Sequence, residues 1–349
     1  MTAMKKPRAI DLFSGAGGLT QGLKDAGFSV IGAVEFESRA AGTYRANHRA
    51  SLLFEEDINN LEPRKVMRAL GLRRGELDLL AGCPPCQGFS RMRNRNGGRI
   101  VRDPLKKDLV LRFAEYVEAF LPKSVMMENV PGLEKDCRFT QVKSSLKKLG
   151  YSISLSEVRD AQHFGVPQRR KRLILVASHV GEMSFGEKPE RKHTVRDAIG
   201  SLKKAGTSGD MLHDTPEKRD PRVMALIRDI PKNGGSRTDL PRARQLPCHH
   251  RLNGFKDVYG RMSWDTVAPT ITGGCFNPSK GRFLHPEEDR AITLREAALL
   301  QTFPADYIFP GPMNKQAIAL MIGNALPPKF IRHHARVIKR TLMRESRSL

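Results

Sequence analysis

Apolar residues in the first half of the chain fall into two alternating textures. Short, nearly unbroken apolar runs at Ala9–Phe13, Val30–Val34, Leu77–Ala81, Ser124–Met127 and Leu173–Ala177 read as buried strands. Between them, apolar positions recur every three or four residues at Gly18–Ala26, Ser38–Asn47, Leu109–Phe120 and Phe139–Leu149, which predicts helices. Strand and helix in alternation predict an α/β fold, with a parallel sheet covered on both faces and ligands at the carboxyl ends of its strands. Beyond about residue 180 the chain turns to Gly, Pro and charge, through LHDTPEKRDP, DIPKNGGSR and DLPRARQLPCHHR, with little periodicity. Helical patterns resume at LREAALLQTFP and KQAIALMIGNALPPKFIRHHARVIKRTL. The expected organisation is a first domain over 1–180, a smaller irregular domain over 181–270, and a return to the first over 271–349.

Composition narrows the class. The chain has 349 residues, 39% of them hydrophobic, enough to build a core. Mean hydropathy is −0.43, no apolar run approaches the roughly 18 residues of a membrane span, and the first residues lack a secretory pattern. A soluble cytoplasmic protein is expected. The 60 Lys and Arg against 37 Asp and Glu leave a net charge of +23. A pI near 10.2 is the electrostatic footprint of a nucleic-acid partner. Seven cations and one acid lie between Arg91 and Lys107, in a Gly- and Asn-rich stretch that reads as an exposed, mobile loop. Seven more, Lys329 included, lie between Lys329 and the last residue against Glu345 alone, on a pattern that predicts a terminal basic helix. The five cysteines, Cys83, Cys86, Cys137, Cys248 and Cys275, are odd in number and sparse, as expected of reduced thiols.

Several segments carry candidate chemistry. The first strand runs into Asp11-Leu-Phe-Ser-Gly-Ala-Gly-Gly18, a turn whose glycines let backbone N–H groups approach a ligand. It is neither a full G-x-G-x-x-G nor a Walker A sequence. Glu35, ending the second strand, stands where an acid can bond ribose hydroxyls, and Asp57 where one can accept from an adenine amine. The three together point to an adenosine-containing cofactor. The strand at Leu77 leads into Cys83-Pro-Pro-Cys86-Gln-Gly-Phe-Ser90. This C-x-x-C is half of a zinc site, with Cys248, His249 and His250 as remote partners, or a redox dithiol, or a rigid turn presenting Cys86 as a nucleophile. Glu128, at the end of the fourth strand, places a carboxylic acid at the same sheet edge, where apolar neighbours would raise its pKa for proton donation. In Gln168-Arg-Arg-Lys-Arg172, alternation along an extended chain aims Gln168, Arg170 and Arg172 to one side, toward a thiolate, phosphate or carboxylate.

Taken in order, DLFSGAGGL, Glu35, PPCQGFS, MENVPG, QRRKR, RMSWDTVAPTIT, RFLHPEEDRAITLREAALLQTFP and GNALPP resemble the DNA cytosine methyltransferases that modify carbon 5, in their bacterial restriction-modification form. The resemblance implies a Rossmann-like, S-adenosylmethionine-dependent methyltransferase sheet, with the irregular region as a target-recognition domain reading duplex DNA. It implies Cys86 as the nucleophile, Glu128 acting at ring N3, and Arg170 and Arg172 positioning Glu128 and the base or its phosphate. It implies cofactor contacts from Phe13, Gly15, Gly17, Glu35, Asp57, Ile58, Pro85 and Asn324, with Leu109 as an addition, and S-adenosylhomocysteine as product. Ser90, Arg91, Arg93 and Gln168 are the implied DNA contacts, the loop 90–107 closing over a flipped base. No metal is implied, the remaining cysteines are structural, and the enzyme is expected to act as a monomer beside a cognate restriction endonuclease. The same motifs also fit a tRNA cytosine-5 methyltransferase.

Overall fold

The structure, a computed structural model, describes residues 5–85, 108–185, 191–251, 256–311 and 313–345. Packing divides the chain into two units, one of residues 1–160, 171–187 and 328–349, the other of 161–170 and 188–327. The first unit contains β1 (Arg8–Leu12), α1 (Gly18–Asp25), β2 (Ser29–Val34), α2 (Ser38–Asn47), β3 (Leu52–Phe54), α3 (Pro63–Ala69) and β4 (Leu79–Gly82). It continues with α4 (Leu109–Phe120), β5 (Ser124–Asn129), α5 (Cys137–Lys148), β6 (Ser152–Asp160) and β7 (Lys171–Ser178). The strands form one sheet in the order β3-β2-β1-β4-β5-β7-β6.

Strands β1 to β5 pair in parallel. The expectation of an all-parallel sheet fails at the other end, where β7 runs antiparallel to both β5 and β6. A parallel crossover needs a dozen or more residues, and the segment 161–170 between β6 and β7 is shorter, so these neighbours pair antiparallel. Strand β6 itself escaped the sequence reading because it is a half-exposed edge strand whose polar residues break up any apolar run. The reversal matters for the chemistry. It brings the beginning of β7 to the carboxyl edge of β5, with Leu173 opposite Asn129 and Ile174 opposite Glu128.

Burial follows strand alternation. Ile10, Leu12, Leu80, Val125 and Met127 join Phe113, Tyr116 and Phe120 of α4 and Phe139 of α5 in one core. The residues between them, Ala9, Asp11, Leu79 and Ala81, are equally inaccessible because the opposite face is also covered. Helix α1 packs there against β1, with α11 (Pro328–Glu345) laid on α1. Burial on both faces is why these strands read as continuous apolar runs.

The second unit contains the short helices α6 (Val195–Ile199), α7 (Met211–Asp214), α8 (Pro221–Asp229), α9 (Leu294–Leu300) and α10 (Lys315–Asn324). Its small apolar cluster comprises Leu226, Ile227, Ile230, Leu240, Tyr259 and Leu284. Beside it, the fully buried Arg261 donates to the carbonyls of Ile227, Ile230, His285 and Glu288 and to the Asp289 carboxylate. Irregular backbone leaves carbonyls that must be satisfied, and one guanidinium satisfies four. The compact units are bounded differently from the segments expected. Residues 271–327 pack within the second unit, because α9 lies against α6, α7 and α10, and the chain rejoins the first unit only at Pro328.

Candidate active site

The glycine turn after β1 is shaped as the sequence requires. Phe13, Gly15 and Gly17 all have positive φ, at 61°, 54° and 91°. Among the described residues, apart from its chain neighbours, no atom stands within 4 Å of where a Cβ on Gly15 would lie, so the turn leaves space there. Glu35 is buried beneath it, accepting from the Gly15 N–H at 2.8 Å and from the N–H groups of Phe36 and Glu37. Burial pushes its pKa up, and the three donors pull it back only in part. Asp11, fully buried, accepts from the Thr20 hydroxyl at 2.7 Å, and desolvation raises its pKa to about 7. The buried Ser14 hydroxyl oxygen has no hydrogen-bond partner among the described residues.

One support of this turn carried no sequence signal: His48, at the end of α2, donates from Nε2 to the Gly17 carbonyl at 3.2 Å. Phe36, directly after Glu35, is 68% exposed. Of the remaining residues expected here, Asp57 is exposed and accepts from the Asn59 N–H, while Pro85 is exposed and Leu109 partly so. The Ile58 side chain belongs to the core, and its carbonyl accepts from Arg112 Nε at 2.9 Å.

At the carboxyl edge of β4 and β5, Glu128 is 6% exposed and lies 2.7 Å from Arg172 Nε. Apolar strands bury this carboxylate, and the antiparallel β7 sets the Arg172 cation against it. Asn129 donates from Nδ2 to the Pro84 carbonyl at 2.9 Å, tying the end of β5 to the Pro-Pro turn. Cys83 is more than a remote structural cysteine. Its thiol donates to Glu128, and burial, with the nearby Glu128 and Asp11 carboxylates, pushes its pKa well up, so it stays protonated. Cys86, Ser90, Arg91, Arg93 and the basic loop lie outside the described residues.

Arg170 and Gln168 depart from expectation. Arg170 is 2% exposed and donates to the carbonyls of Ile271, Gly323 and Ala325, within 3.1 Å. These flank Asn324, so Arg170 is a positioning residue for that turn, and the ion pair to Glu128 is made by Arg172. Gln168 is fully buried; it donates to Gln301 Oε1 at 2.8 Å and accepts from the Ile271 N–H at 2.9 Å, leaving no amide to offer DNA. Alternation along the chain does not say what such side chains meet. Asn324, at the end of α10, is exposed. Gly323 before it admits no side chain, since a Cβ would fall 2.3 Å from the Gly273 nitrogen. No cluster of three His, Cys, Asp or Glu able to hold a metal occurs among the described residues.

Residues 7–340 match the family model of the C-5 cytosine-specific DNA methylases. The chain belongs to that family. This DNA cytosine-5 methyltransferase is 38% identical to the Type II methylase M.HgiDII of Herpetosiphon aurantiacus, over 95% of each chain. It is 33% identical to the Type II methyltransferase M1.HphI of Haemophilus parahaemolyticus, over 91% of this chain and 83% of that one. Its fold matches the crystal structure of the S. pombe Dnmt2 methyltransferase with a TM-score of 0.61, at 17% identity, over 97% and 99% of the two chains. Members of this methyltransferase family depend on S-adenosylmethionine. No helix among the described residues is long and apolar enough to cross a membrane.

Proposed function

We propose that the enzyme methylates a cytosine within a defined word of duplex DNA, through a covalent adduct of Cys86 with a base flipped out of the helix. The observation that carries this reading is the arrangement at one sheet edge. The ion-paired Glu128–Arg172 couple stands beside a Pro-Pro turn, held by Asn129, that leads directly into position 86. Carbon 5 of cytosine is a weak nucleophile while the ring is aromatic. Attack by the Cys86 sulfur at carbon 6 forms an S–C bond and moves an electron pair toward carbon 5. Glu128 favours that attack by hydrogen bonding at ring N3, and Arg172 fixes its carboxyl group. Carbon 5 takes the methyl group, its proton departs to a base, and the S–C6 bond breaks to restore the ring.

Bound S-adenosylmethionine supplies the electrophilic methyl group. The glycine turn fits such a donor: Gly15 leaves open space, Ser14 holds an unused polar oxygen, and Phe36 offers an exposed ring for a purine. Glu35, Asp57 and Phe13 would hold the nucleoside, with Gly17, Ile58, Pro85 and Asn324 completing the contacts. The second unit, with the segment 181–270, would recognise the word through base edges and phosphates, and Ser90, Arg91 and Arg93 would contact the flipped strand. The relatives named as Type II methylases support a role in shielding that word from a cognate endonuclease in a prokaryotic cytoplasm.

The covalent step is tested by Cys86→Ser, expected to abolish transfer of labelled methyl groups into DNA. The wild type is expected to form a denaturation-resistant complex with DNA containing 5-fluorocytosine, whose ring has no removable proton at carbon 5. Full activity in the variant overturns the adduct. Preferential labelling of tRNA over duplex DNA overturns the substrate.

A further inference from the structure

Helix α11 carries charge that the methyl-transfer reaction does not use. Phe330, Ile331, Ala335, Val337, Ile338 and Leu342 form its buried side. On another face stand Arg332, Arg336 and Arg340, four residues apart, in a row with roughly 6 Å of axial rise between successive members. Arg336 and Arg340 are exposed and Arg332 partly so. Arg159, near the end of the edge strand β6, joins them. Burial, together with the charge of these four guanidinium groups, holds the His333 imidazole below its usual pKa.

Arg159 has Glu157 as a partner, but among the described residues no acid pairs with Arg332, Arg336 or Arg340. Like charges spaced i, i+4 oppose helix formation, and an anionic partner offsets that repulsion. The track also has a direction. Gly22 of α1 lies against Pro328 and Ile331, whereas Gly27, just past α1, lies against Lys339. Helix α11 therefore runs beside α1 from the carboxyl edge of the sheet, where Arg159 pairs in register with Arg172, toward the amino edge. The row begins at the edge that holds Glu128 and leads away from it. No large apolar side chain on the described part of α11 is exposed, so this face offers nothing to stack on an unpaired base or to enter a lipid layer.

We propose that Arg332, Arg336 and Arg340 form a phosphate-binding track for duplex DNA flanking the target word. It would be a sequence-independent contact that retains the enzyme on long DNA without touching the reacting base. This rests on the reading of the chain as a methyltransferase of duplex DNA. The test uses the full-length triple variant R332Q/R336Q/R340Q, with the word first identified by bisulfite sequencing of plasmid from expressing cells. Kd and methyl transfer are measured on a duplex ending close to the word and on one with several helical turns of flank, across a salt series. On the long duplex the slope of log Kd against log salt should become shallower by about 2 to 3, since each neutralised phosphate contributes about 0.9. On the short duplex Kd and kcat should match the wild type, and the triple Arg→Lys variant should restore most of the long-duplex slope.

An unchanged slope on the long duplex overturns the track. Equal losses on both duplexes with a lowered Tm overturn it too, as a structural effect. Loss of binding to anionic vesicles without a change in the DNA slope assigns the face to another partner and also overturns it. If the wild type methylates neither duplex, it is the parent reading that fails.

Discussion

Three arginines show how one residue type serves different ends according to what surrounds it. Arg172 reaches solvent at one side and grips a buried carboxylate. Arg170 and Arg261 are buried and satisfy main-chain carbonyls in an irregular unit. Removing each should therefore leave a different signature. Arg172→Ala is expected to lower methyl transfer by about a hundredfold or more, through loss of control over Glu128, with a modest fall in Tm. Arg170→Ala strands three carbonyls and should destabilise the second unit by roughly 3 kcal/mol. Calorimetric unfolding beside labelled methyl incorporation well below Tm separates the two. Matching profiles for both variants would contradict the division of roles. In the sequence the two arginines were equivalent members of QRRKR, because strand alternation reports a side and not a partner.

At the scale of elements, the contact of α1 with α11 sets backbone against side chain at Gly22. A Cβ there would stand 2.6 Å from the Ile331 Cβ and 2.6 Å from the Pro328 carbonyl oxygen. Two effects compete in Gly22→Ala. Helix propensity favours alanine by about 1 kcal/mol, whereas forcing α11 outward costs about 1–3 kcal/mol. The steric effect should win, because one of the clashing atoms is backbone and cannot rotate away. Denaturant titration is expected to show net destabilisation, and a more stable variant would mean that α11 yields easily. Strand β7 makes a related point. Its apolar run was plain in the sequence, but its direction was not. Direction follows from the length of the connection to β6, and it decides that Arg172 rather than the far end of the strand meets Glu128.

For the molecule as a whole, excess positive charge and two buried imidazoles predict weakness toward acid. Burial lowers the pKa of His48 from 6.5 to about 4 and that of His334 from 6.5 to about 3. His334 donates from Nδ1 to the Phe330 carbonyl, and its Nε2 faces Arg159 at 3.4 Å, an arrangement that suits the neutral ring. A group whose folded pKa is depressed contributes stability that is full above its unfolded value and lost as pH falls toward the folded one. Stability of the first unit should therefore decline from about pH 6.5 downward, with proton uptake on unfolding. His334→Phe should be less stable than the wild type near neutrality yet lose less on acidification. Parallel stability curves for the two proteins would rule out His334 as a source of the acid limb.

The sequence by itself determined β1, β2, β4, β5 and β7 and the helices α1, α2, α4, α5 and α11 of the first unit, with the glycine turn, Glu35 and the carboxylate at Glu128. These depend on periods of two to four residues and on conformations that glycine alone adopts freely, which neighbours in the chain encode. Tertiary structure decided the reversal of β7, the separate tasks of Arg170 and Arg172, the burial of Gln168 and the place of Cys83 beside Glu128. It also decided that residues 271–327 pack with the second unit. Each of those outcomes is a choice among partners far apart in sequence, settled by connection length, burial and the need to satisfy polar groups once water is excluded.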